Sequence, residues 1–194
     1  MRCVEPCVSE AEAVRLFERR RFGNLWGLLG QRRPTSAGGP PFIELIWMPH
    51  YLIEFAVTSR RGPGTITVSV EAHSGAFAVI EMARGFVERP DEKNTFSPKL
   101  DEEEAVVMGR KDLLQSIMRR RGQRHRPVIE KAVGVDLFHY PYWAYYYERR
   151  RGLLDVKVVD AVTREPGRPR TRAGVLSALV QAGETRPPLL ANRA

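Results

Sequence analysis

The side chains of this 194-residue chain best suited to nucleophilic, acid–base or metal chemistry are four histidines, His50, His73, His125 and His139, and two cysteines, Cys3 and Cys7. A catalytic set needs a nucleophile and a base within reach of one another, and a metal needs several ligands at set spacings. No two histidines stand at metal-ligand spacing. Cys3-Val4-Glu5-Pro6-Cys7 offers at most half of a zinc site, with no second pair to complete it. The residues therefore predict no cofactor and no metal, with an enzyme as the minor reading.

Binding is better supplied. Arg60-Arg61-Gly62 and Arg149-Arg150-Arg151-Gly152 are arginine-rich turns, and Tyr142 and Tyr146 share one strand face, with His50 at the matching place in an earlier strand. Guanidinium groups pair with carboxylates and phosphates, and exposed aromatics give large contact area at low entropic cost. These residues predict a non-enzymatic module that takes an unknown protein or acidic ligand on a sheet face and its arginine turns. The alternative is a nucleic-acid-binding accessory protein, with phosphates on the arginines and bases stacked on the tyrosines. A formal charge of +8, from 31 Lys and Arg against 23 Asp and Glu, agrees with an acidic partner or nucleic acid. Arginine enrichment also follows from a GC-rich genome, so charge alone does not decide the matter.

The elements that must position these groups centre on Val135-Asp136-Leu137-Phe138-His139-Tyr140-Pro141-Tyr142-Trp143-Ala144-Tyr145-Tyr146-Tyr147-Glu148. Its aromatic and β-branched density suits a pleated surface, and Pro141 is expected to divide it into two strands at an edge or bend. A third strand follows at 154–161. The chain has an earlier version of this block, Ile43-Glu44-Leu45-Ile46-Trp47-Met48-Pro49-His50-Tyr51-Leu52-Ile53-Glu54-Phe55, aligned at the 92-residue offset that carries Pro49 to Pro141. The same offset carries Ser9-Glu10-Ala11-Glu12-Ala13-Val14 to Asp101-Glu102-Glu103-Glu104-Ala105-Val106, so an internal repeat is read.

Side-chain alternation assigns Tyr51, Ile53 and Phe55, with Trp143, Tyr145 and Tyr147, to a core face. His50, Leu52 and Glu54, with Tyr142, Ala144 and Tyr146, face away from it. In the third strands two registers compete. The Val70-Glu71-Ala72 match to Val159-Asp160-Ala161 requires an offset of 89, whereas alternation of Val68 and Val70 against Val156 and Val158 requires 88, so a bulge in one copy is expected.

Ser9 and Asp101 stand as helix caps with Glu12 and Glu104 three residues on, predicting helices at about 10–20 and after 101. Val107, Met108, Leu114, Ile117 and Met118 give the second helix one apolar stripe, read as core. Residues 22–30 read as a loose glycine-rich helical continuation and 31–41 as a flexible loop. A short last helix at 171–182 packs through Val175, Leu176, Leu179 and Val180 on the second copy.

These residues carry a family resemblance. Each copy resembles a PepSY-type module, in which an acid-capped helix precedes three antiparallel strands that end in a Val-Asp-Ala, then Thr-Gly, signature. Val159-Asp160-Ala161-Val162-Thr163-Arg164 keeps most of that signature with Arg164 for glycine, and Val70-Glu71-Ala72-His73-Ser74-Gly75 keeps the glycine. The resemblance implies a non-enzymatic module similar to the inhibitory domains of protease propeptides. The expected fold is α+β, with two repeated units, each a helix on an antiparallel three-stranded sheet, plus a short C-terminal helix. The units fall at 1–82 and 100–182, joined by an exposed linker at 83–99 and followed by a tail at 183–194. No apolar run approaches the ~20 residues that span a bilayer, so no membrane span and a cytoplasmic location are expected.

Overall fold

The computed structural model describes residues 1–18, 43–80, 85–89, 94–119, 126–148 and 154–185. The segments read as a loose helix and a loop (22–30 and 31–41), the arginine turn Arg149-Arg150-Arg151 and the chain beyond 185 lie outside the described residues. The described chain is α+β, a mixed sheet with three helices. The short strand β1 (Arg2–Cys3) precedes α1 (Glu10–Glu18), the long strand β2 (Ile43–Ser59), β3 (Gly62–Glu71), β4 (Phe77–Val79) and β5 (Val87–Glu88). Then come α2 (Glu102–Arg119), β6 (Val128–Glu148), β7 (Leu154–Asp160) and α3 (Pro169–Thr185). The sheet order is β4-β3-β2-β6-β1-β5, with β7 also on β6. No helix among the described residues is long and apolar enough to cross a membrane.

Its centre is the antiparallel pair β2–β6, running from Ile43 opposite Tyr145 to Thr58 opposite Val128. Neither proline divides its strand, contrary to the sequence expectation. The reason lies in the ladder geometry. The Pro49 carbonyl accepts the Ala72 N–H at 2.9 Å and the Pro141 carbonyl accepts the Ala161 N–H at 3.2 Å. In an extended residue the nitrogen and carbonyl point the same way, so each proline's missing donor faces away from the β2–β6 ladder. It falls where β3 and β7 end, past the pairs His50–Glu71 and Tyr142–Asp160, and no central hydrogen bond is lost.

The turns after β3 and β7 are built alike. Gly75 N–H bonds Glu71 C=O and Arg164 N–H bonds Asp160 C=O, with φ of 65° at Gly75 and 67° at Arg164. The Glu71 carboxylate accepts the N–H of His73 and of Ser74, and Asp160 Oδ1 accepts those of Val162 and Thr163, at 2.7 to 2.8 Å. These bonds follow the offset of 89. No bulge is needed, because Val156 and Val158 occupy the face opposite to Val68 and Val70. Strand β7 is buried on both faces, by Val156 and Val158 on one and Val159 on the other.

Ser9 and Asp101 cap α1 and α2 as read, the Asp101 box being reciprocal (Glu104 N–H to Asp101 Oδ1, 2.8 Å; Asp101 N–H to Glu104 Oε2, 3.1 Å). The helices cross over. Ala13, Leu16 and Phe17 of α1 pack with Val8 on Trp143, Val159 and Ala161, whereas Ala105, Leu113 and Ile117 of α2 pack on Tyr51, Ile53, Phe55, Val68 and Val70. Segments 1–82 and 100–182 therefore have no separate cores. Nor is the connection between them a free linker in its described part, since Asn94 and Phe96 bond both backbone groups of Trp47, and Leu100 N–H reaches Ala72 C=O.

Candidate functional site

The face opposite α1 and α2 carries Tyr142, Tyr146 and His50 of the residues singled out for binding, and α3 lies over the two tyrosines. Val175 and Ala178 are buried against Ile46, Met48, Tyr142, Ala144, Val156 and Val158, with Tyr140 and Tyr146 beside them. Three contacts fasten the helix. Arg172 Nε donates to Asp155 Oδ1 at 2.9 Å, Arg170 stands 3.6 Å from Asp112, and Gly174 passes so close to Glu71 that a Cβ there would lie 2.3 Å from Oε2. Burial raises the Asp155 carboxyl, but the bonds from Arg172, Val156 N–H and Tyr147 outweigh it and hold the pKa below its ordinary value.

Tyr142 and Tyr146 are thus packing residues, a correction to their assignment as an open binding surface. Tyr142 retains 8% exposure. Burial, then the charges of Asp160, Tyr140 and Glu71, push its phenol well above the usual range. The Tyr146 hydroxyl donates to Glu44, and burial followed by that bond raises its pKa. The sequence pattern identified the two faces correctly. It assigned only one to the core because the local pattern, which places the last helix on the second copy, does not say which face of the sheet that helix covers.

His50 is likewise enclosed. Its ring lies among Phe138, Tyr140 and Tyr142 with centroids at 5.5 to 6.2 Å, Nδ1 is 2.9 Å from Ser69 Oγ, and buried Nε2 has no hydrogen-bond partner among the described residues. Burial, and secondarily His139, lower its pKa to about 3. Serine against histidine is the beginning of a nucleophile–base pair. Here both side chains are buried in the sheet, so the contact is a packing arrangement. Among the described residues no three His, Cys, Asp or Glu side chains converge as a metal set.

Arg60 and Arg61 are exposed at the β2–β3 turn, where Ser59 faces Gly62. Tyr142 faces Ile46 at the other end of β2. At about 3.3 Å per residue the two lie roughly 40 Å apart along the strand, so the arginine turn and the tyrosines do not form one surface.

What sequence reasoning missed is the outer face of α2. The single apolar stripe expected there is two stripes. Ala105, Gly109, Leu113 and Ile117, spaced by four, face the sheet, and a Cβ on Gly109 would come within 3.2 Å of Ile53 and Val70. Val107, Leu114 and Met118 instead stand 67%, 52% and 53% exposed. The signal was available in Ala105 and Gly109, whose small size marks the side of closest helix–sheet approach. Comparison of the chain with protein-family models, curated proteins and solved structures finds no match in any of the three.

Proposed function

We propose that this chain is a non-enzymatic protein-interaction module whose contact surface is the outer face of α2. The observation that carries the reading is the exposure of Val107, Leu114 and Met118 on one line. Single exposed apolar residues are ordinary, but spacings of seven and four, about two turns and one, place these three on one side of the helix. Sheet-face binding through Tyr142 and Tyr146 would first require α3 to leave. The nucleic-acid reading loses its stacking platform for the same reason. The chain is read as two PepSY-like units sharing one sheet, supported by the matched turns after Glu71 and Asp160 and by the pairs Trp47–Pro141 and Pro49–His139, which the 92-residue offset interconverts. A photo-crosslinking residue placed at position 114 in cells tests the function. Protein adducts are expected there and not from the same residue at exposed Thr65; nucleic-acid adducts, or none, refute it.

A further inference from the structure

We infer that the partner of this α2 face is a second copy of the chain, the two helices lying antiparallel about a two-fold axis. The inference rests on the α2 reading above and adds the occupant.

A two-fold interface must be complementary to itself. The face has that property. α2 opens with Glu102, Glu103 and Glu104 and closes with Arg119, while Val107, Leu114 and Met118 lie between. Antiparallel pairing sets the acidic first turn of each copy against the basic last turn of the other, whereas parallel pairing would oppose acid to acid. A register with Val107 opposite the partner copy's Met118 sets the two Leu114 side chains on either side of the axis, each opposite the other copy's Lys111. Lys111 borders this line, where its aliphatic stem covers leucine and its ammonium reaches water. The other charges of the middle turns are engaged elsewhere: Arg110 donates to Ile129 C=O at 3.1 Å and Asp112 faces Arg170. A partner of single charge sign would match only one end of the helix. The helix is about 27 Å long at 1.5 Å per residue, and one such pair makes a small interface, so the dimer should dissociate on dilution.

Sedimentation velocity of the full chain over a dilution series tests this. The expected result is a reversible monomer–dimer equilibrium that Leu114→Lys abolishes by setting two further ammonium groups against the Lys111 ammoniums at the axis, while its thermal melt stays that of the parent. Glu103→Lys and Arg119→Glu should each weaken the dimer several-fold, and the double variant should restore it, a recovery that only antiparallel pairing gives. A monomer at every concentration overturns the inference. If position 114 then still crosslinks another protein, the interaction reading survives and only the second copy is lost. A dimer indifferent to Leu114→Lys and to both charge reversals overturns the inference, and the α2 reading falls with it where position 114 gives no protein adduct.

Discussion

Gly174→Ala decides whether α3 covers the sheet face. In an exposed helix this change stabilises by up to about 1 kcal/mol, because alanine loses less backbone entropy on folding. At Gly174 the new Cβ would lie 2.3 Å from Glu71 Oε2, 3.0 Å from its Cδ and 3.1 Å from Ser74 Oγ. The carboxylate cannot retreat freely, being 1% exposed and bonded to the N–H groups of His73 and Ser74 at 2.7 Å. Losing one such charge-assisted bond costs about 1.5–3 kcal/mol, which exceeds the propensity gain and leaves a net loss of about 0.5–2 kcal/mol. For a chain of this size that lowers Tm by roughly 1–8 °C. Gly183, exposed in the same helix with nothing within 4 Å of where a Cβ would stand, is the control, and Gly183→Ala should be neutral or stabilising. Thermal and urea melts of both variants read the difference. Equal stabilisation by the two would refute the placement of α3 across the β3 turn.

Trp143, 9% exposed with Nε1 donating to Val8 C=O at 2.9 Å, should cost about 3–5 kcal/mol on replacement by alanine, measured by urea unfolding. Tyr146→Ala should also destabilise, by about 2–3 kcal/mol, because α3 covers its face and its hydroxyl bonds Glu44; a neutral result would mean that face is open. The His50 pKa is lowered from 6.5 to about 3, so the unfolded chain binds more protons across that interval. The stability contributed by the neutral ring is complete above about pH 6.5 and is lost as pH falls toward 3. His50→Gln should flatten the acid limb of a stability–pH curve, leaving a residual slope to which His73, also lowered by burial, contributes; an unchanged limb would refute the enclosure of His50.

The sequence alone determined what depends on neighbours along the chain. The β-branched and aromatic runs around Tyr51 and Trp143 could only be strands, Ser9 and Asp101 with their glutamates could only start helices, and period-two alternation separated the two sheet faces. The similarity of Val70-Glu71-Ala72 to Val159-Asp160-Ala161 anticipated two turns with the same hydrogen bonds. What crosses the chain was decided by tertiary structure. Pro49 and Pro141 look like strand breaks until the sheet shows that their missing donors point past the ends of β3 and β7. Val156 and Val158 looked out of register because a local pattern cannot reveal that α3 buries the second face of β7. The same helix took Tyr142 and Tyr146 out of the binding surface, and the rings of Phe138, Tyr140 and Tyr142 enclosed His50. On α2, the close approach of Ala105 and Gly109 to the sheet turned Val107, Leu114 and Met118 outward, because a helix packed through its small side chains leaves its larger apolar ones for water or for a partner.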